Sequence, residues 1–505
     1  MKTRLLTLML ALMMLLSAFA GCKKKTETEE PAGSVDVTVD ENAPDIPAVN
    51  YDRTINILQV SAAWKEEWDP DKETSHDVLS DAMYTRNAYL MEKYGIDFSY
   101  DHKDKNEGKE TGEVRNYLLS DLPTYDFMSY SPLFLSAWAQ EGLLAEISDL
   151  PYMDFSQPWW YGTIMEEITV DGNCYFAIGA SNLSAMWTAN GVIFNKSMFE
   201  SYYPNDDLYQ VIRDKNWTLE SMLTYAEGIY YDKDGITGAT NNDRYGIVYA
   251  GAVWYPLFYG TGIRMTTKDA DGNFAVNVDG EAVIDRITEI ITLCNNRDIT
   301  REFNANDQDD EWLAFAAGGG LFLPESMAAT HICRNNMTDI YGVLPTPLLQ
   351  AGQENYYTPI HPNHSSAMAV GKNVATSDWE MLGSIIVDAA YMSQKVQWPV
   401  FFETVLKGRT AKDAETLEML DIVFTNLVLD PLLLYDQEND VDNAIRGLIA
   451  DNATTNVYTT LHGLKENVET DLKNAMDQLR GIETAPEEDT NTEETTTEGA
   501  TSGEE

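Results

Sequence analysis

The sequence predicts an α/β fold. Short runs of β-branched and aliphatic residues alternate with stretches of helical periodicity from residue 54 onward. Hydrophobic residues make up 44% and aromatic residues 11% of the 505, enough for a large core. Turn residues such as Gly95 fall where one pattern gives way to the next.

Residues 54–60, Thr-Ile-Asn-Ile-Leu-Gln-Val, read as a first strand. Over residues 77–94, Val78, Ala82, Met83 and Leu90 share one helical face, and Gly95 stops the helix. Residues 96–100 alternate as a second strand does. A short helix ends near Asp121, and residues 125–129 form a third strand. Strands separated by helices imply a parallel sheet, and ligands of such sheets sit at the strands' carboxyl ends. Here those ends are residues 61–68 and 129–131.

The two ends of the sequence read differently. Residues 1–21 carry Lys2 and Arg4, an apolar run over 5–20 and small residues before Cys22, the pattern of a secretory signal. The run is short of the roughly 20 residues that a membrane helix needs. Ala20-Gly21-Cys22 resembles a bacterial lipobox, which implies that Cys22 becomes the lipid-modified first residue. An ordinary signal peptide is the other reading of the same small residues. The remainder of residues 22–50 is a Thr/Glu/Asp/Pro spacer, and residues 482–505 are an acidic tail. Neither has the apolar content to fold alone.

Eighty-two acidic against 34 basic residues give a formal charge of −48. Phosphate backbones would repel such a chain, so nucleic acid is not an expected partner. Cys174, Cys294 and Cys333 are odd in number and far apart, so no disulfide framework is implied.

Further along, blocks of sequence resemble one family. Ala139-Gln-Glu-Gly-Leu-Leu-Ala-Glu-Ile147 follows a Tyr-Asp-Phe strand, as its counterpart does in maltodextrin-binding proteins. Asp171-Gly-Asn-Cys-Tyr-Phe-Ala-Ile178 resembles that family's hinge strand. Val192-Ile-Phe-Asn-Lys196 and Asn216-Trp-Thr-Leu-Glu220 resemble two of its helix starts, with Thr218 as a cap. Residues 316–323 and Tyr341-Gly-Val-Leu-Pro-Thr-Pro347 complete the series in order. The body of the chain thus resembles an extracellular solute-binding lipoprotein of a sugar-type ABC importer.

The resemblance implies a two-lobed, periplasmic-binding-protein-like type II fold, each lobe a sheet flanked by helices and the two joined by crossing hinge strands. The first lobe would hold residues 51–171 and 346–395, and the second residues 172–345 and 396–481. It implies a monomer that closes on a carbohydrate and passes it to membrane permease subunits, with a lipid anchor on the membrane's outer face and no cofactor.

A sugar presents C–H faces to aromatic rings and hydroxyl edges to polar groups, charged acceptors making the stronger bonds. The residues that suit this, in loops placed at the cleft by the resemblance, are Trp64, Trp68, Tyr130, Ser131, Ser181, Trp254, Tyr255 and Glu325. Most have a plainer reading: Trp64 and Trp68 as core, Ser181 as a turn cap, Trp254 and Tyr255 as a buried helix start at Pro256, Glu325 as a helix cap. Asn182 stands beside Ser181 with Trp187 nearby, and Tyr356, Tyr357 and His361 are weaker choices.

Two alternatives are a surface enzyme that cleaves glycans and a structural or adhesive lipoprotein. No spacing singles out two carboxyls for glycoside hydrolysis, and no nucleophile elbow or His-Glu-x-x-His motif occurs. Asp232, Asp234 and Asp243 resemble a calcium loop, but Ile236 and Thr237 stand where a ligand and a glycine are needed. A solvated turn is the preferred reading.

Overall fold

The computed structural model describes residues 43–60, 67–70, 78–236, 240–303, 310–406, 414–436 and 440–482. Cys22, Trp64, residues 1–21, residues 483–505 and all but the last eight of residues 22–50 lie outside the described residues. Its strands are β1 (Arg53–Val60), β2 (Ile96–Lys103), β3 (Phe127–Tyr130), β4 (Phe176–Ala177), β5 (Asn190–Asn195), β6 (Tyr245–Ala250), β7 (Thr266–Lys268), β8 (Phe274–Val276), β9 (Thr300–Phe303), β10 (Gly320–Ser326), β11 (Tyr341–Leu344), β12 (Thr358–Pro359), β13 (Ala367–Ala369) and β14 (Leu427–Val428).

Two five-stranded sheets organise the body. The first has the order β2-β1-β3-β13-β4. β1 pairs in parallel with β2 and β3, the sheet that alternating strands and helices predict. Ile55, Ile57 and Leu58 are wholly buried, as expected of a parallel strand covered on both faces. The helix Val78–Tyr94 returns the chain to start β2. Gly95 makes that reversal possible: its φ is +57°, and a Cβ there would lie 1.9 Å from Asn50 Oδ1. The next predicted helix spans Gly108–Leu118, ending sooner than its sequence suggests.

The second sheet has the order β11-β5-β10-β6-β9. β10, β6 and β9 run parallel, and β5 is antiparallel to both β10 and β11. Asn195 ends β5 and caps the helix Lys196–Tyr202 through the Met198 amide. Trp217 is fully buried and its indole N–H donates to the Pro345 carbonyl at 2.9 Å.

The chain passes from the first sheet to the second over residues 178–189 and returns over residues 345–366. Two of the expected boundaries shift. β4 pairs with β13 in the first sheet, which moves the outward crossing from residue 171 to after Ala177. The helix Trp379–Leu406 runs across the expected lobe boundary at residues 395 and 396 and packs along Val78–Tyr94. Lys93 Nζ meets the buried Asp388 across that contact at 2.6 Å.

Glu67 ties the crossings to the first sheet. Its buried carboxylate accepts from Ser129 Oγ at 2.9 Å, from Ser184 N and Oγ at 2.6 Å each, and from Ser366 Oγ. The C-terminal helix Val457–Leu479 packs on both Glu281–Cys294 and Pro132–Gln140. Cys174, Cys294 and Cys333 are buried thiols outside any disulfide. Among the described residues no helix is long and apolar enough to cross a membrane.

Candidate ligand cavity

β6 and β10 are parallel neighbours, so their carboxyl ends open on the same side. β5 runs against β10, with Asn190 opposite Ser326, so its first residue joins them. A cavity of about 460 Å³ lies there, within the usual range for small-molecule sites. Its other side is formed by Leu133, in the helix that leaves β3, and by residues 361–364, which lead into β13. The carboxyl ends of strands from both sheets therefore contribute to one hollow, the arrangement expected of open α/β sheets.

Aromatic rings line it. Trp254 and Tyr255 open the short helix Trp254–Tyr259 after β6. Asp442 on the helix Asp440–Ala450 accepts from Trp254 Nε1 at 2.9 Å and from Arg446 Nε at 2.7 Å, which fixes the indole. The Tyr255 hydroxyl donates to the Ile360 carbonyl, and its ring lies 5.3 Å from that of His361. Trp312, in the helix Asp310–Ala316, supplies a third ring, with Glu311 beside it.

Polar groups fill the gaps. Glu325 Oε1 accepts from the Ser326 amide at 2.6 Å, and burial pushes this carboxyl above its ordinary range. Asn190 donates to the carbonyls of Thr188 and Pro359 at 3.0 Å each. Lys105 Nζ donates to Asn363 Oδ1 at 3.1 Å. Burial, with His364, Lys105 and Arg446 nearby, holds His361 down to about 3, so its ring is neutral.

Of the residues expected at a ligand, Trp254, Tyr255 and Glu325 line this cavity, as does His361. Ser131 reaches its wall indirectly, through a bond from Oγ to the Pro362 carbonyl at 3.1 Å. Trp68, Tyr130 and Ser181 do not line it. Trp68 is wholly buried in the first sheet's core, its ring 5.0 Å from Phe127 and 4.3 Å from the Arg86 guanidinium. Tyr130 packs 5.2 Å from Trp138, and the Ser181 hydroxyl faces Met368 Sδ at 3.4 Å. Trp187 and Tyr356 are likewise core, and Asn182 is spent on Gly179 and Ser366. Trp312, Asn190 and Arg446 escaped the sequence reading. A tryptophan shortly before the block at residues 316–323 is the available sign for the first; the other two offer none.

The carboxylates of Asp232, Asp234 and Asp243 lie away from the cavity and converge within 4.8 Å. The amides of Gly235, Ile236 and Thr240 donate to them, one to each, so the turn satisfies its own acceptors in part.

By sequence, the chain matches no family model and no curated protein. By structure it is similar to UspC of M. tuberculosis (TM-score 0.54, 15% identity, covering 84% of this chain and 100% of that one). It is also similar to a cyclo/maltodextrin-binding protein complexed with maltotetraose (TM-score 0.53, 13% identity, 85% and 97% covered). A third is an ABC substrate-binding protein from Listeria monocytogenes in complex with cycloalternan (TM-score 0.51, 13% identity, 83% and 99% covered). This chain shares its fold with these proteins. The cavity between the strand ends of the two sheets is a candidate site for a small molecule.

Proposed function

We propose that this protein is the receptor of an ABC importer and captures a carbohydrate in the cavity lined by Trp254, Tyr255, Trp312 and Glu325. The observation that carries this is the cavity itself: three aromatic rings beside amide, carboxylate and imidazole groups, in a solute-binding fold. Rings of that kind stack on the C–H faces of sugars, and the polar groups bond to the hydroxyl edges.

The mechanism is hinge closure without covalent chemistry. One lobe comprises the first sheet with residues 51–177 and the return to residue 406; the other comprises the second sheet. The crossings near Glu67 form the hinge. Signal removal at residue 21 and lipidation of Cys22 would leave the monomeric receptor on the outer face of the membrane, beside its permease. Ile46 is buried in the core, so the expected spacer would end before it.

A thermal-shift screen across mono- and oligosaccharides tests the reading, because a ligand that binds only the folded state raises the melting point. Small-angle scattering with a sugar that raises it should show compaction. Stabilisation by no sugar in a broad panel would refute it.

A further inference from the structure

Glu325 stands near the end of β10, half-buried in the cavity wall. Among the described residues the Ser326 amide donates to it at 2.6 Å. No lysine or arginine is paired with it among the described residues. Arg446 is the one Lys or Arg among the described residues lining the cavity, and Asp442 holds it at 2.7 Å. Lys105 is turned to Asn363, and His361 is neutral. A carboxylate partly withdrawn from water without a counter-ion is costly to ionise, and a cation beside it removes that cost.

The surroundings of Glu325 favour a cation. Trp254, Tyr255 and Trp312 line the same cavity, and the faces of such rings attract ammonium groups. A sugar hydroxyl could bond to Glu325 but would leave its charge uncompensated. An ammonium group would bond to it, neutralise it and lie against the rings.

We infer that the cavity selects sugars bearing a free, protonated amine, with Glu325 as counter-ion and the three aromatic side chains as the apolar faces. The inference rests on the carbohydrate reading above and narrows it. Such a ligand has one part for the hydroxyl-bonding groups around Asn190 and another for Glu325.

Calorimetry on the purified protein near neutral pH decides it, with three ligand sets of matched length: glucosamine oligomers, their N-acetylated counterparts and neutral gluco-oligosaccharides. The amine-bearing set should bind at least about tenfold tighter than the N-acetylated set, and the preference should weaken as salt is added. Glu325→Gln should weaken the amine-bearing set far more than the neutral set and so erase the preference. If that variant does not fold, the wild-type comparison decides alone. Equal or tighter binding of N-acetylated or neutral sugars overturns the amine preference and leaves the importer reading standing. Binding of no sugar overturns both.

Discussion

Trp254 and Trp68 are 1% and 0% exposed, yet only Trp254 lines the cavity. The difference is one of anchoring. The Trp68 amide donates to Gln59 Oε1 at 3.1 Å, and its carbonyl accepts from Asn87 Nδ2 at 2.7 Å. Those two bonds pin the backbone between β1 and the helix Val78–Tyr94 and turn the ring inward. Nothing in a Trp-rich segment after a strand reveals that, because both partners are polar side chains with many other uses. In urea unfolding, Trp68→Ala should cost about 3–5 kcal/mol of stability. The affinity of the folded variant for its sugar should stay within about twofold. Trp254→Ala should also destabilise, but the folded protein should lose about tenfold or more in affinity, read by calorimetry. Equal effects on affinity would remove the distinction.

Elements were legible where they were long or carried a local signature. β1 and the helix Val78–Tyr94 begin within one residue of expectation, since each has several turns or pleats of consistent pattern. β4, β12, β13 and β14 span two or three residues, too few for a period to show. That is why the crossing is expected at residue 171 and found after Ala177. Thr218 is the opposite case. Its hydroxyl accepts from the Ser221 amide at 3.2 Å while Ser221 Oγ accepts from the Thr218 amide at 2.8 Å, a reciprocal cap on Leu219–Ala226. Thr218→Ala should lower stability by about 1 kcal/mol and Thr218→Ser should restore most of it, measured by thermal unfolding. No loss in the alanine variant would show that the tertiary bond of Trp217 alone fixes this helix.

At the scale of the whole molecule, the cavity gathers Asn190, Trp254, Glu325, His361 and Arg446 from stretches scattered over half the chain. Three-dimensional proximity of this kind leaves no local pattern, and the family resemblance was the route to part of it. One of these residues couples the fold to pH. In the unfolded chain His361 titrates near 6.5, while in the fold burial holds it down to about 3. Between those values the unfolded chain takes up a proton that the folded one refuses. This contribution to stability is complete above pH 6.5 and is lost as pH falls toward 3. The slope is at most about 1.4 kcal/mol per pH unit. The buried acids Glu167 and Asp430, raised by burial, act in the opposite sense. The difference between wild type and His361→Gln therefore isolates the imidazole. Melting from about pH 7 to about pH 5 should show a shallower loss in the variant. Parallel curves would place the dependence elsewhere.

Ser129, Ser184 and Ser366 come from a strand of the first sheet, the outward crossing and the return crossing, and all meet at one carboxylate. A knot that binds three stretches of backbone cannot travel with any one of them. If the halves swing, Glu67 sits near the pivot, where displacement is least, and the rim around Trp312 sweeps the widest arc. A pair of spectroscopic labels would report most motion across that rim and almost none beside the knot.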